Sequence, residues 1–209
     1  MQFLPSIASA NQLNLQSEIE RLGDWPTLHI DIEDGNFLPN ITFGLKTVSA
    51  VSSFASSKEL DAHLLVNHPL EYVKPLAECG ITRLCSHIES LPYPLQFINS
   101  VHHQGMKAGL AMNFSTPLAC LDPFLCSVDY VLFMTAEPDE NGNQLYEPAL
   151  ERAIRFACAH PEIPVIVDGG LNENAISKLN SSPVSAAVLG RLCWQADDPL
   201  SRLQSLSNI

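Results

Sequence analysis

Leu28-His29-Ile30-Asp31-Ile32-Glu33-Asp34-Gly35-Asn36-Phe37-Leu38-Pro39-Asn40-Ile41-Thr42-Phe43-Gly44 is the stretch on which the fold turns. Its first six residues alternate. Leu28, Ile30 and Ile32 fall on one face of a β-strand, and His29, Asp31 and Glu33 fall on the other. Residues two apart on a strand are separated by roughly 7 Å at their Cα atoms, so an imidazole and a carboxylate so spaced can converge on one cation. Asp34-Gly35 then ends the strand with turn chemistry. Taken alone, the pattern also describes a half-exposed strand whose polar face meets water.

Outward from this strand, short apolar runs alternate with longer amphipathic stretches. The spacing predicts strands over Phe3–Ile7, Leu28–Glu33, Leu60–Val66, Arg83–His87, Ala108–Asn113, Tyr130–Thr135, Val165–Asp168 and Ala186–Leu189. Between them, Leu15, Ile19 and Leu22 recur at helical spacing with Asn11 as an N-cap, and Leu150, Ile154, Ala157 and Cys158 do the same after Pro148. Gly80 and Gly105 sit where helices should end. Eight strands alternating with eight helices fit a (β/α)8 TIM barrel or an open doubly wound sheet; runs apolar on both faces suit the parallel strands of either. No linker or boundary interrupts the pattern, and residues 1–209 are expected to form one domain.

Composition narrows the class. With 46% hydrophobic and 16% charged residues, the chain can bury one large core and needs neither disulfides nor a structural metal to fold. A net charge of −12 disfavours nucleic acid and anionic membranes as partners. Six cysteines without a Cys-x-x-Cys pair read as small buried hydrophobes of a reducing, cytoplasmic protein. The first residues carry no basic segment ahead of an apolar one, and no apolar run is long enough to span a bilayer.

The stretch with its trailing Pro-Asn-Ile-Thr-Phe-Gly resembles the signature of the ribulose-phosphate 3-epimerase family. Further matching motifs are Pro5-Ser6-Ile7, Leu60-Asp61-Ala62-His63-Leu64, His87-Ile88-Glu89, Asn113 with Thr116-Pro117, Met134-Thr135-Ala136-Glu137-Pro138, Val167-Asp168-Gly169-Gly170, and Gly190. They follow the family's order along nearly the whole chain, and the resemblance decides for the closed barrel. It implies that His29, Asp31, His63 and Asp168 ligate one divalent metal, with Asp31 and Asp168 also acting as the acid/base pair. Two imidazoles and two carboxylates suit zinc, iron(II), cobalt or manganese. It further implies a sugar-phosphate substrate bound by Ser6, His63, Met134, Gly142, Gly169, Gly170, Gly190 and Arg191, and a homo-oligomer, dimer or hexamer. Asp61 shares the face parity of His63 and is expected to orient that imidazole; His87, at a strand end, is expected beside the substrate.

Epimerisation gives this set a chemical rationale. A proton on carbon beside a ketone is weakly acidic, and a cation near the two adjoining oxygens stabilises the negative charge left when it departs. Proton donors are then needed on both faces of a planar intermediate, one ionised and one protonated, which like-charge coupling between neighbouring carboxyls favours. The expected activity is a ketose-phosphate 3-epimerase, on ribulose 5-phosphate or a related pentulose or hexulose phosphate. The alternative is a sugar-phosphate-binding or regulatory protein with little turnover.

Four departures from the family stand out. Glu33 replaces a methionine, and could coordinate metal, recognise a hydroxyl, perturb the acid/base pair or point to solvent. Leu65 replaces a second methionine at similar volume. Residues 139–144 read Asp-Glu-Asn-Gly-Asn-Gln where the family has a run of glycines around phosphate. Arg191 stands where the family has serine, and could bind phosphate bidentately or pair with Asp197 or Asp198.

Overall fold

The computed structural model describes residues 1–137 and 144–209. Eight parallel strands make one sheet: β1 (Gln2–Pro5), β2 (Thr27–Glu33), β3 (Glu59–Leu65), β4 (Arg83–His87), β5 (Lys107–Met112), β6 (Tyr130–Met134), β7 (Val165–Asp168) and β8 (Ala186–Leu189). From β2 to β8 each strand pairs with its successor in sequence, and β1 pairs with β8. An open doubly wound sheet would reverse direction at a switch point. Here the order runs once round. The remaining seam, between β1 and β2, is closed by a parallel bridge from Ser6 to His29 and by Thr27 Oγ1, which donates to the Phe3 carbonyl at 3.0 Å.

Two apolar layers hold the barrel. Its outer face packs against the helices α1 (Leu15–Arg21), α2 (Leu45–Phe54), α3 (Leu70–Glu78), α4 (Pro94–His103), α5 (Glu147–Ala159), α6 (Glu173–Asn180), α7 (Arg191–Trp194) and α8 (Pro199–Leu206). Its interior is a second, smaller cluster that includes Leu4, Cys85, Tyr130, Leu132 and Ile166. Strand residues buried on both faces explain why β6 reads as an unbroken apolar run. Gly109 on β5 makes room inside: a Cβ there would stand 2.4 Å from the Tyr130 ring. The helices begin and end where local chemistry directs. Asn172 accepts from Ala175 N to cap α6, and Gly80 and Gly105 adopt φ of 80° and 77° just past α3 and α4. Asn11 caps a 3₁₀ turn that leads into α1.

The expectation of a helix in every crossover fails once. Between β5 and β6 the chain forms only two 3₁₀ turns, Leu118–Cys120 and Asp122–Phe124. Pro117 and Pro123 remove backbone donors and crowd the preceding turn, so no α-helix can propagate through so short a segment. The cysteines also depart from expectation. Cys85 and Cys193 are buried, but Cys120, Cys126 and Cys158 are exposed, and all six are free. Cys120 and Cys126 lie on the fifth crossover, where Leu118, Leu121, Phe124 and Leu125 make the contacts with the core. No helix of the described residues is long and apolar enough to cross a membrane.

Candidate active site

Parallel strands present their C-terminal ends to one mouth of the barrel, where βα loops leave room for chemistry. His29 and Asp31 sit on β2, His63 on β3 and Asp168 at the end of β7. The β2–β3 register sets Asp31 beside His63 and His29 beside Asp61. Ligand atoms of His29, Asp31, His63 and Asp168 all lie within 4.8 Å of one another. His29 Nε2 is 3.1 Å from Asp31 Oδ1, and His63 Nδ1 is 3.4 Å from Asp31 Oδ1 and 3.5 Å from Asp168 Oδ2. Ser6 Oγ donates to Asp31 Oδ2 at 2.5 Å. Both imidazoles are fully buried, while the Asp31 and Asp168 side chains keep 13% and 16% of their surface.

Register also corrects the role expected of Asp61. Its Oδ2 lies 2.7 Å from Nδ1 of His29, not of His63, and both side chains are fully buried. Parity on one strand puts Asp61 and His63 on one face but two residues apart, whereas pairing across strands brings Asp61 level with His29. A carboxylate on the far nitrogen of an imidazole fixes its tautomer and ring plane.

The electrostatics of the cluster call for positive charge. Burial would strip the proton from His29, yet the carboxylates of Asp31 and Asp61 outweigh it and hold this pKa well above its ordinary value. Burial of His63 is likewise outweighed by Asp168 and Asp31, and its pKa is raised. Asp31 resists the upward push of burial because His29 and His63 hold it below the usual carboxylate range, and Asp61 is lowered by His29 and then Arg83. Meanwhile both ring nitrogens of His63 are buried without a hydrogen-bond partner among the described residues. An orphaned imidazole among converging carboxylates is a donor set that fits a divalent metal of nitrogen and oxygen preference.

A cavity of about 250 Å³ opens above the cluster. Ser6, Asp31, Met134, Asp168, Gly169, Gly170, Gly190 and Arg191 are among the residues that line it. Side chains are excluded at the glycine turn after β7. Gly169 and Gly170 have φ of 113° and 66°, and a Cβ on Gly169 would come within 2.7 Å of Ala136 N. Thr135 Oγ1 donates to the Gly169 carbonyl at 2.6 Å and fixes that turn to the end of β6. Glu33 faces this cavity rather than bulk solvent: it is 5% exposed and accepts from Asn40 Nδ2 at 2.7 Å. It is not a member of the four-residue cluster. Of the two carboxylates considered for Arg191, Asp198 caps α8 through Ser201 N. Gly142 and the acidic positions 139 and 140 lie outside the described residues.

His87 does not line the cavity as expected. It is fully buried behind His63, its ring stacked on that imidazole at 5.0 Å and 19°. Its Nδ1 lies 3.2 Å from Glu89 Oε2. Burial would raise the Glu89 carboxyl, but His87, Thr116 and the Asn113 amide pull it down to about 2. The sequence signal for this pair was its spacing, a histidine and an acid two apart at a strand end, the same as His29 and Asp31.

Known proteins can be set beside this geometry. The sequence model described as "Ribulose-phosphate 3 epimerase family" matches residues 2–194. A protein of Schizosaccharomyces pombe named ribulose-phosphate 3-epimerase is 30% identical over 98% of this chain and 91% of its own length. One of Bacillus subtilis with the same name is 31% identical over 98% and 96%. One of Oryza sativa, named the cytoplasmic isoform, is 32% identical over 93% and 88%. Among solved structures, 3-hexulose-6-phosphate synthase of Salmonella typhimurium superposes with a TM-score of 0.75 at 14% identity, covering 100% of this chain and 97% of its own. KGPDC of Streptococcus mutans in complex with D-R5P does so at 0.75 and 12%, covering 99% and 95%. Those two likenesses establish the barrel fold; the full-length match to the family model and these relatives establish that the chain belongs to the ribulose-phosphate 3-epimerase family, a family of epimerases.

Proposed function

We propose that the protein is a metal-dependent 3-epimerase of a ketose phosphate, acting on ribulose 5-phosphate or a related pentulose or hexulose phosphate. The observation that carries this reading is the placement of two carboxylates. Asp31 and Asp168 come from strands three places apart round the barrel, approach the same His63 nitrogen at 3.4 and 3.5 Å, and both border the cavity. A planar carbon between them meets a carboxyl oxygen on each face. Asp31 accepts from Ser6 Oγ, which favours its ionised form and suits it to take the proton. Asp168 then delivers a proton to the opposite face, and the roles exchange in the reverse direction. His29, Asp31, His63 and Asp168 would hold the divalent metal, zinc, iron(II), cobalt or manganese, which when bound supplies electrostatic stabilisation of negative charge on the substrate oxygens.

The far part of the cavity carries the phosphate in this reading. Gly169, Gly170 and Gly190 bring backbone to the cavity wall, and Arg191 borders the same space with a guanidinium suited to bidentate phosphate contact. Glu33, held by Asn40, can accept hydrogen bonds from a substrate hydroxyl and thereby selects among ketoses. A cytoplasmic, homo-oligomeric protein completes the reading; six free cysteines and the name of the rice relative support the location. The test is a panel of pentulose and hexulose phosphates with their unphosphorylated counterparts, given to metal-reconstituted protein and followed by NMR. Inversion at C3 of a phosphorylated ketose is expected. Failure on every member, with metal shown to be bound, would contradict the proposal.

A further inference from the structure

The two imidazoles of the cluster are held in different ways. His29 is oriented by Asp61 at 2.7 Å, the usual device for a metal-binding histidine. Among the described residues His63 has no such acceptor; both its ring nitrogens lack a hydrogen-bond partner there. Its Nδ1 meets Asp31 and Asp168 only at 3.4 and 3.5 Å, so ring packing also bears on its plane, and the ring stacked on it at 5.0 Å belongs to His87. His87 is itself fixed by Glu89 at 3.2 Å and meets Phe37 at 4.8 Å. Glu89 is anchored in turn. Its Oε1 accepts from Asn113 N at 2.9 Å and, through a short bond, from Thr116 Oγ1. Arg152 on α5 closes the chain by donating to the carbonyls of Thr116 and Asn113 at 2.7 and 2.8 Å.

We infer that His87 and Glu89 are positioning residues for His63: the stack helps to fix the plane of its imidazole, and Glu89 fixes the stack. This rests on the metal-site reading above. It accounts for a fully buried histidine and a half-buried acid that take no part in proton transfer and, in the case of His87, do not border the cavity. It also assigns one task to the motifs around residues 87–89 and 113–116, which the reaction itself leaves without a role.

The test is cobalt(II) binding to metal-free protein, read by visible absorption and by competition with a chelator, for the wild type, His87→Gln, His87→Phe and Glu89→Gln. Loss of the ring in His87→Gln is expected to weaken cobalt binding by roughly 10–100-fold and to alter the cobalt bands, the usual consequence of removing an outer support of a ligand. His87→Phe restores a stacking ring, and should recover most of the affinity and the wild-type bands. A merely structural histidine would show no such rescue. Glu89→Gln, nearer the surface, should shift the bands in the direction of His87→Gln, and carries the test if the buried variant does not fold. Wild-type affinity and spectrum in folded His87→Gln and Glu89→Gln would overturn the inference while leaving the metal site intact. Absence of cobalt binding by the wild type would overturn both.

Discussion

Asp61→Asn is the substitution whose effect can be worked furthest from the structure. Asp61 and Asn have nearly the same volume, so packing round this fully buried side chain is kept. The amide oxygen can still accept from His29 Nδ1, where the carboxylate does so at 2.7 Å. What disappears is the charge. A hydrogen bond to a charged group contributes about 1.5–3 kcal/mol and a neutral one about 1, so the loss is about 0.5–2 kcal/mol. Each 1.4 kcal/mol is about tenfold in affinity. The expected result is metal binding weaker by roughly tenfold, within the range found for supports of metal-ligating histidines. The assay is competition between protein and a chromophoric chelator for zinc or cobalt, at constant pH, with circular dichroism to show that the variant folds. Tyr130→Phe is the control, since the Tyr130 hydroxyl reaches the other Asp61 oxygen only at 3.4 Å and should matter little. Wild-type affinity in a folded Asp61→Asn would refute the assignment of Asp61 as the orienter of His29.

Other perturbations test separate parts of the account. Arg191→Ala should raise KM for phosphorylated ketoses by roughly 10–100-fold, the loss of one or two charge-assisted hydrogen bonds, and leave unphosphorylated ketoses nearly unaffected; an equal effect on both would remove Arg191 from the phosphate site. The raised pKa values of His29 and His63 mean that metal-free protein holds protons there, and that this contribution to its stability is full below the ordinary histidine pKa and lost as pH rises through the raised values. A metal must displace those protons, so its affinity falls as pH drops through the same window. The gain in Tm on adding metal should therefore widen as pH rises from below the ordinary histidine pKa, and calorimetry in two buffers should detect proton release; a gain independent of pH would contradict the assignment. Gly109→Ala puts a methyl 2.4 Å from the Tyr130 ring and 2.9 Å from Cys85 Cβ, and should cost about 1–3 kcal/mol in denaturant unfolding.

A strand's period of two marks the shared face of His29 and Asp31, whereas His63 and Asp168 join them through the family resemblance; His63, Asp168 and Gly190 all fall in the latter half of a predicted strand or just past it, toward the mouth of the barrel. Pairing between strands is not written in one strand's period. Parity alone points Asp61 to His63, its neighbour on the same strand, whereas the register delivers it to His29. The same blindness hid the stack of His87 on His63, which depends on how two strand ends meet. The missing helix of the fifth crossover has its sequence signal in Pro117 and Pro123, which the regular alternation elsewhere does not show. Glu33 shows the limit for a single side chain. Alternation fixed its face, and only the loop carrying Asn40 decided that it is enclosed.

The central claim is that two carboxylates act on opposite faces of one carbon, and the label in the product tests it most directly. One pure epimer of the accepted ketose phosphate is converted in D2O, and C3 is examined by NMR in both substrate and product at low conversion. Two carboxylates predict a product carrying solvent deuterium at C3 while unreacted substrate still carries protium. The second acid exchanges with solvent before it delivers its proton, and the first has removed the old one. Retention of the substrate's own proton in the product would mean that a single group serves both faces, and the roles given to Asp31 and Asp168 would be wrong.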